Sequence, residues 1–78
     1  MSDVNTMSFV IEAASDDQAA ARAGQINRVL LKSDFAGWHV ARLNESDFMV
    51  TFYRDADEGM AEHADAIDEW KSEQGDDQ

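Results

Sequence analysis

The chain has no cysteine and no proline. Without thiols there are no disulfides and no thiolate metal sites, the staples on which a small secreted scaffold ordinarily depends. Without proline, no helix or strand carries a built-in break. Bases are scarce as well: six Lys and Arg stand against seventeen Asp and Glu, a formal charge of −11. A field of that sign argues against direct contact with nucleic acid or anionic lipid, both polyanions. Purely apolar runs reach only three or four residues. A membrane-spanning helix needs roughly 20. The start, Met1 to Thr6, has neither a basic stretch nor an apolar run, so no signal peptide is read and a cytoplasmic location is expected.

What remains is enough for one folded domain over 1–78. Hydrophobic content of 44% with seven aromatics argues against general disorder. A chain of this size buries only about 60% of its unfolded surface, so its stability is modest.

Met7 to Ala13 alternates, with Met7, Phe9 and Ile11 set against Ser8, Val10 and Glu12, and predicts a strand. Ser15 opens a capping box closed by Gln18, and Asp16 and Asp17 suit the positive end of a helix dipole. That helix is expected over 16–32, with Ala19, Ala23, Ile26 and Leu30 along its apolar stripe. Gly24 costs about 1 kcal/mol inside a helix and marks close packing. Residues 33–37 read as the exit turn, with Phe35 plugging the core. Two further alternating runs, 38–43 and 48–54, flank the polar turn Asn44 to Asp47 and predict an antiparallel hairpin. Asp55 to Glu58 repeats the capping logic and opens a second helix to Ser72, with Met60, Ala64, Ile67 and Trp70 as its stripe. Residues 1–5 and 74–78 are expected to be flexible ends.

The order β-α-β-β-α, with hairpin pairing and a right-handed crossover, gives an α+β fold. It is a three-stranded antiparallel sheet of order 1-3-2 with two helices on one face. This resembles a ferredoxin-like fold without the last strand. The second sheet face is then uncovered, with Val10, Met49, Thr51 and Tyr53 on it.

Chemistry-bearing patterns are few. No phosphate-binding glycine loop, nucleophile elbow or zinc-protease helix occurs. Asp55-x-Asp57-x-Gly59 opens like a calcium loop, but an EF-hand wants its glycine one place later and a Glu where Ala66 stands. His63, between Glu62 and Asp65, invites an acid–base or metal reading; the plainer one is a boundary residue on an acidic helix. His39 reads as a half-buried strand residue. No catalytic residue, no metal ligand and no cofactor is assigned, and the chain is not read as an enzyme.

The acids are unevenly placed. Residues 54–78 hold ten acids and two bases, a net −8, against −3 for residues 1–53. Dipole compensation accounts for Asp55, Asp57 and Glu58. It does not account for Glu58–Glu62, Glu62–Asp65, Asp65–Asp68, Asp65–Glu69 and Glu69–Glu73, which are like-charge neighbours three or four residues apart. Together they cost about 1–2.5 kcal/mol, which points to a benefit outside the fold. Glu58, Glu62, Asp65, Asp68, Glu69 and Glu73 are the candidate partner-binding face. By size, charge and this row, the chain resembles the small acidic proteins, often phage-encoded, that act as nucleic-acid mimics or anti-CRISPR inhibitors. The likeness covers about a third of the chain and includes no diagnostic motif. It implies a basic, nucleic-acid-binding protein as partner. One carboxylate per helical turn, about 5.4 Å, is dilute beside one charge per roughly 1.7 Å of duplex, so Asp16, Asp17, Asp34 or a second subunit would have to add charge. Two competing readings are a homodimeric module paired through Val10, Met49, Thr51 and Tyr53, and acidity that serves solubility or high salt.

Overall fold

The structure is a computed structural model that describes residues 5–32 and 34–75. Five elements follow in the order β1 (Thr6–Glu12), α1 (Asp16–Val29), β2 (Gly37–Arg42), β3 (Asp47–Tyr53) and α2 (Ala56–Gly75). The sheet order is β1-β3-β2, with both pairings antiparallel. Element order, sheet order and α+β class are those expected from the alternation and the turn signals.

Local chemistry sets the boundaries. Ser15 Oγ accepts from the Gln18 amide at 3.1 Å, while Gln18 Oε1 accepts from the Ala14 amide at 2.6 Å, so the cap closes one residue upstream of the usual box. Asn44 Oδ1 accepts from the amides of Ser46 and Asp47 at 3.0 and 2.9 Å and folds the β2–β3 turn. Asp55 Oδ1 accepts from the amides of Asp57 and Glu58 at 2.9 and 3.2 Å and caps α2.

Helix α1 stops at Val29, three residues before the expected Lys32. Leu30 and Leu31 both donate to the Ile26 carbonyl, and Lys32 takes a left-handed φ of 56°. The cause is Asn27. It is buried, donates through Nδ2 to the Phe35 carbonyl at 3.2 Å and accepts on Oδ1 from the Phe35 amide at 3.4 Å, drawing the chain back over the core. Leu30, expected on the apolar stripe, is 70% exposed as a result. At the other end of the chain, α2 continues through Gln74 and Gly75, which were expected in a loose tail. Asn5, also expected loose, accepts from the Arg54 amide at 3.0 Å. The remaining expected flexible positions, 1–4 and 76–78, lie outside the described residues, as does Ser33 of the exit turn.

The main correction concerns the helices: they lie on opposite faces of the sheet. On one face Phe52 is the hub, with the rings of Phe9, Phe35 and Trp38 at 5.7, 6.0 and 6.1 Å. Ala23 and Ile26 of α1 close over this cluster, and Ala19 packs on Phe48. On the other face α2 sits over Tyr53, Thr51 and Met49. Every residue of β3 from Phe48 to Phe52 is therefore buried, odd and even positions alike. The sheet face expected to be uncovered is covered by the helix that was expected to lie beside α1. Met49 and Thr51 are buried and Tyr53 is half-buried, so the dimer surface of Val10, Met49, Thr51 and Tyr53 does not exist as a surface; Val10 alone stays 40% exposed.

The N-terminal half of the α2 stripe is correspondingly one residue off, while Ile67 and Trp70 face inward as expected. Gly59 is buried, and His63, Ala66, Ile67 and Trp70 are half-buried, whereas Met60 is 62% exposed and Ala64 is exposed. Gly59 sets the helix–sheet distance: a Cβ there would fall 2.4 Å from Tyr53 Cβ. It is a packing glycine, not the turn glycine of a calcium loop.

Candidate functional site

Helix α1 lies over β2 and, to a lesser extent, β3, while α2 lies over β3 and β1. On the α2 side, an open groove of about 330 Å³ runs between the helix and β1. Its floor and walls are Thr6, Ser8, Phe9, Met49, Ala66 and Trp70, and its helical rim carries Glu62, Asp65, Glu69 and Glu73. The spacing 62, 65, 69, 73 puts all four on one helix face. Four of the six acids singled out in the sequence thus converge on one groove. The other two do not line it: Glu58 belongs to the capped first turn, and Asp68 lies outside the groove lining.

Among the described residues the ion pairs are Arg42–Asp16 at 3.7 Å and Arg54–Asp34 at 2.7 Å. Neither touches α2. Arg42 also lies over the Phe48 ring and Arg54 over the Phe35 ring, at 4.7 and 5.4 Å. The chain's arginines therefore do not neutralise the groove. Asp16 and Asp34 are already paired, and α1 occupies the opposite layer, so these acids do not extend the acidic row of α2. Trp38 is core, and Gly24 makes room for it: a Cβ at Gly24 would meet Trp38 Cζ2 at 3.2 Å.

Between α2 and the sheet runs a polar chain that the sequence did not reveal as a unit. Ser8 Oγ and Thr51 Oγ1 are 2.8 Å apart, and Thr51 Oγ1 lies 2.9 Å from His63 Nδ1. The His63 ring packs on His39 at 5.6 Å, and His39 packs on Tyr53 at 4.7 Å. Burial, and then the charge of His39, hold the His63 imidazole below its ordinary value. His39 Nε2 is buried and has no hydrogen-bond partner among the described residues. His63 thus turns toward the sheet, away from the Glu62 and Asp65 that flank it in sequence. Ser8, which lines the groove with Thr6, reaches His63 only through fully buried Thr51. Its natural signal in the sequence was the alternation itself: Ser8, His39 and Thr51 occupy paired, same-face positions of three strands.

Among the described residues, no group of three or more His, Asp or Glu is placed to hold a metal ion, and no helix is long and apolar enough to cross a membrane. No family model, curated protein or solved structure matches the chain.

Proposed function

We propose that this chain is a non-enzymatic binding protein whose α2–β1 groove engages the basic, nucleic-acid-binding surface of another protein and thereby blocks it. One observation carries the reading: Glu62, Asp65, Glu69 and Glu73 line a single groove, and neither ion pair among the described residues reaches α2. A stability-driven sequence would place Lys among them, above all near the negative end of the helix. The row is too dilute to copy a duplex, so the target contact is a local cluster of Lys and Arg side chains. Trp70 at the groove edge supplies an aromatic face for a guanidinium or ammonium group. Like charges repel the polyanions themselves, so the inhibitor competes with nucleic acid without binding it.

The test is a comparison of two affinity columns, one carrying the wild-type chain and one the E62Q/D65N/E69Q variant, loaded with the same cell extract. Basic nucleic-acid-binding proteins are expected on the first column only, and duplex DNA should release them. Equal retention on both columns, or retention that duplex DNA leaves untouched, refutes the reading.

A further inference from the structure

Strand β1 is an edge: it pairs with β3 alone, and among the described residues no strand lies along its outer side. Natural edge strands are usually short, carry charge or are covered. This one is seven residues long, and its single charge, Glu12, is the last of them. It is flanked by two grooves of different chemistry. On the α2 face lies the acidic groove already described. On the α1 face, because α1 is displaced toward β2, a second groove of about 410 Å³ opens beside Ile11 and Glu12; Ile26, Val29 and Leu30 give it an apolar stretch, and Arg22 and Gln25 complete its lining. Val29 and Leu30 are 57% and 70% exposed, the largest apolar surface that α1 leaves uncovered.

We propose that β1 accepts an extended segment of the partner as a fourth strand, and that this segment alternates apolar and basic residues. This rests on the reading of the acidic groove given above. Side chains of a strand alternate between faces, so an added strand sends every second residue into each groove. The apolar set meets Ile11, Ile26, Val29 and Leu30; the Lys or Arg set meets Glu62, Asp65, Glu69 and Glu73. The spacings agree. Successive carboxylates rise about 4.5 to 6 Å along the helix, and same-face residues of a strand recur about every 6.6 Å. Backbone pairing gives affinity independent of sequence, and the two grooves give selectivity. A second copy of this chain does not fit the edge, because β1-to-β1 pairing would set two acidic grooves and a formal −11 on each protomer against one another.

The experiment uses the full chain and three synthetic heptapeptides. One alternates Lys and Val, one has the same composition with its lysines and valines in separate blocks, and one alternates Glu and Val. The alternating basic peptide should bind at least about tenfold more tightly than the blocked one, and the Glu peptide should not bind. Amide exchange should slow within Thr6–Glu12 when the alternating peptide is present. The exposed-site variant V29K/L30K should lose the preference for alternation, and E62Q/D65N/E69Q should lose affinity for both basic peptides. Equal affinity for the two basic peptides, still lost in the carboxylate variant, overturns strand addition while leaving the acidic groove as a binding site. Absence of binding to either peptide also overturns strand addition, and the DNA-competed columns then decide the broader reading separately. If sedimentation shows dimers with β1 already protected without peptide, a second copy holds the edge and the proposal fails.

Discussion

Replacing Gly59 by alanine separates the observed architecture from the one-face arrangement suggested by the sequence. In an open helix the change stabilises, since alanine is favoured over glycine by about 1 kcal/mol. Here the added Cβ would fall 2.4 Å from Tyr53 Cβ and 2.6 Å from its Cγ and Cδ2. The Cβ of Tyr53 is fixed to β3 and cannot swing aside as the tip of a long side chain can. Helix α2 must therefore lift from the sheet. Overpacking of this kind costs about 1–3 kcal/mol, and after subtracting the propensity gain a net loss of up to about 2 kcal/mol remains. In a domain of this size each kcal/mol shifts Tm by about 4–8 °C, so thermal melting followed by circular dichroism resolves the effect. Gly24 is the control. Its Cβ would meet only the outer ring atoms of Trp38, at 3.2 and 3.4 Å, and a small ring shift relieves the contact. G24A should fall within about 1 kcal/mol of wild type, the size of its helix-propensity gain. A G59A protein more stable than wild type would refute the placement of α2 on the Tyr53 face.

Three further outcomes follow from the same geometry. E62Q/D65N/E69Q removes at least one partner from each of the five like-charge pairs on α2 and should raise stability by about 1–2.5 kcal/mol at low salt; an unchanged urea midpoint would mean that the acidic row carries no strain. N27A leaves both the amide and the carbonyl of Phe35 without their side-chain partner and should cost about 1–3 kcal/mol, read from the same urea curves; a wild-type midpoint would contradict the role of Asn27 in folding back the chain. A histidine held below its ordinary value binds fewer protons folded than unfolded, so the stability that His63 contributes is complete above the ordinary imidazole value of 6.5 and falls as pH drops below it. Tm should decline on that acid side in wild type and decline less in H63Q; parallel profiles would remove His63 as the cause.

The element order and sheet order were legible because they rest on local signals: alternation in three runs, two capping sequences and one polar turn. What the sequence did not disclose was which face of the sheet each helix takes. Both arrangements bury Phe52 and Val50 against α1. They differ only in whether Met49, Thr51 and Tyr53 meet a helix, and a mixed set of one apolar, one hydroxyl and one phenolic residue is compatible with either solvent or a polar interface. The decisive cue is Gly59, whose lack of a side chain fits a close helix–sheet approach, although beside Asp55 and Asp57 a glycine equally suits an ion-binding loop. Only the first half of the expected α2 stripe is displaced: Gly59 and His63 face the sheet in place of Met60 and Ala64, whereas Ile67 and Trp70 do so as expected. The acidic row survives that displacement. Glu62, Asp65, Glu69 and Glu73 share a face whatever the helix packs on, although only the structure shows that the face borders a groove beside the edge strand β1. Asn27 had no readable signal, because its partner is the backbone of Phe35, eight residues away.

An acidic groove that acts through charge must lose its pull as salt screens it. The direct measurement is the association rate of the wild-type chain with a protein captured on the affinity column, followed as salt rises from about 50 to about 500 mM. A rate steered by carboxylates should drop steeply across that range while the fold stays intact. A rate indifferent to salt would contradict the claim.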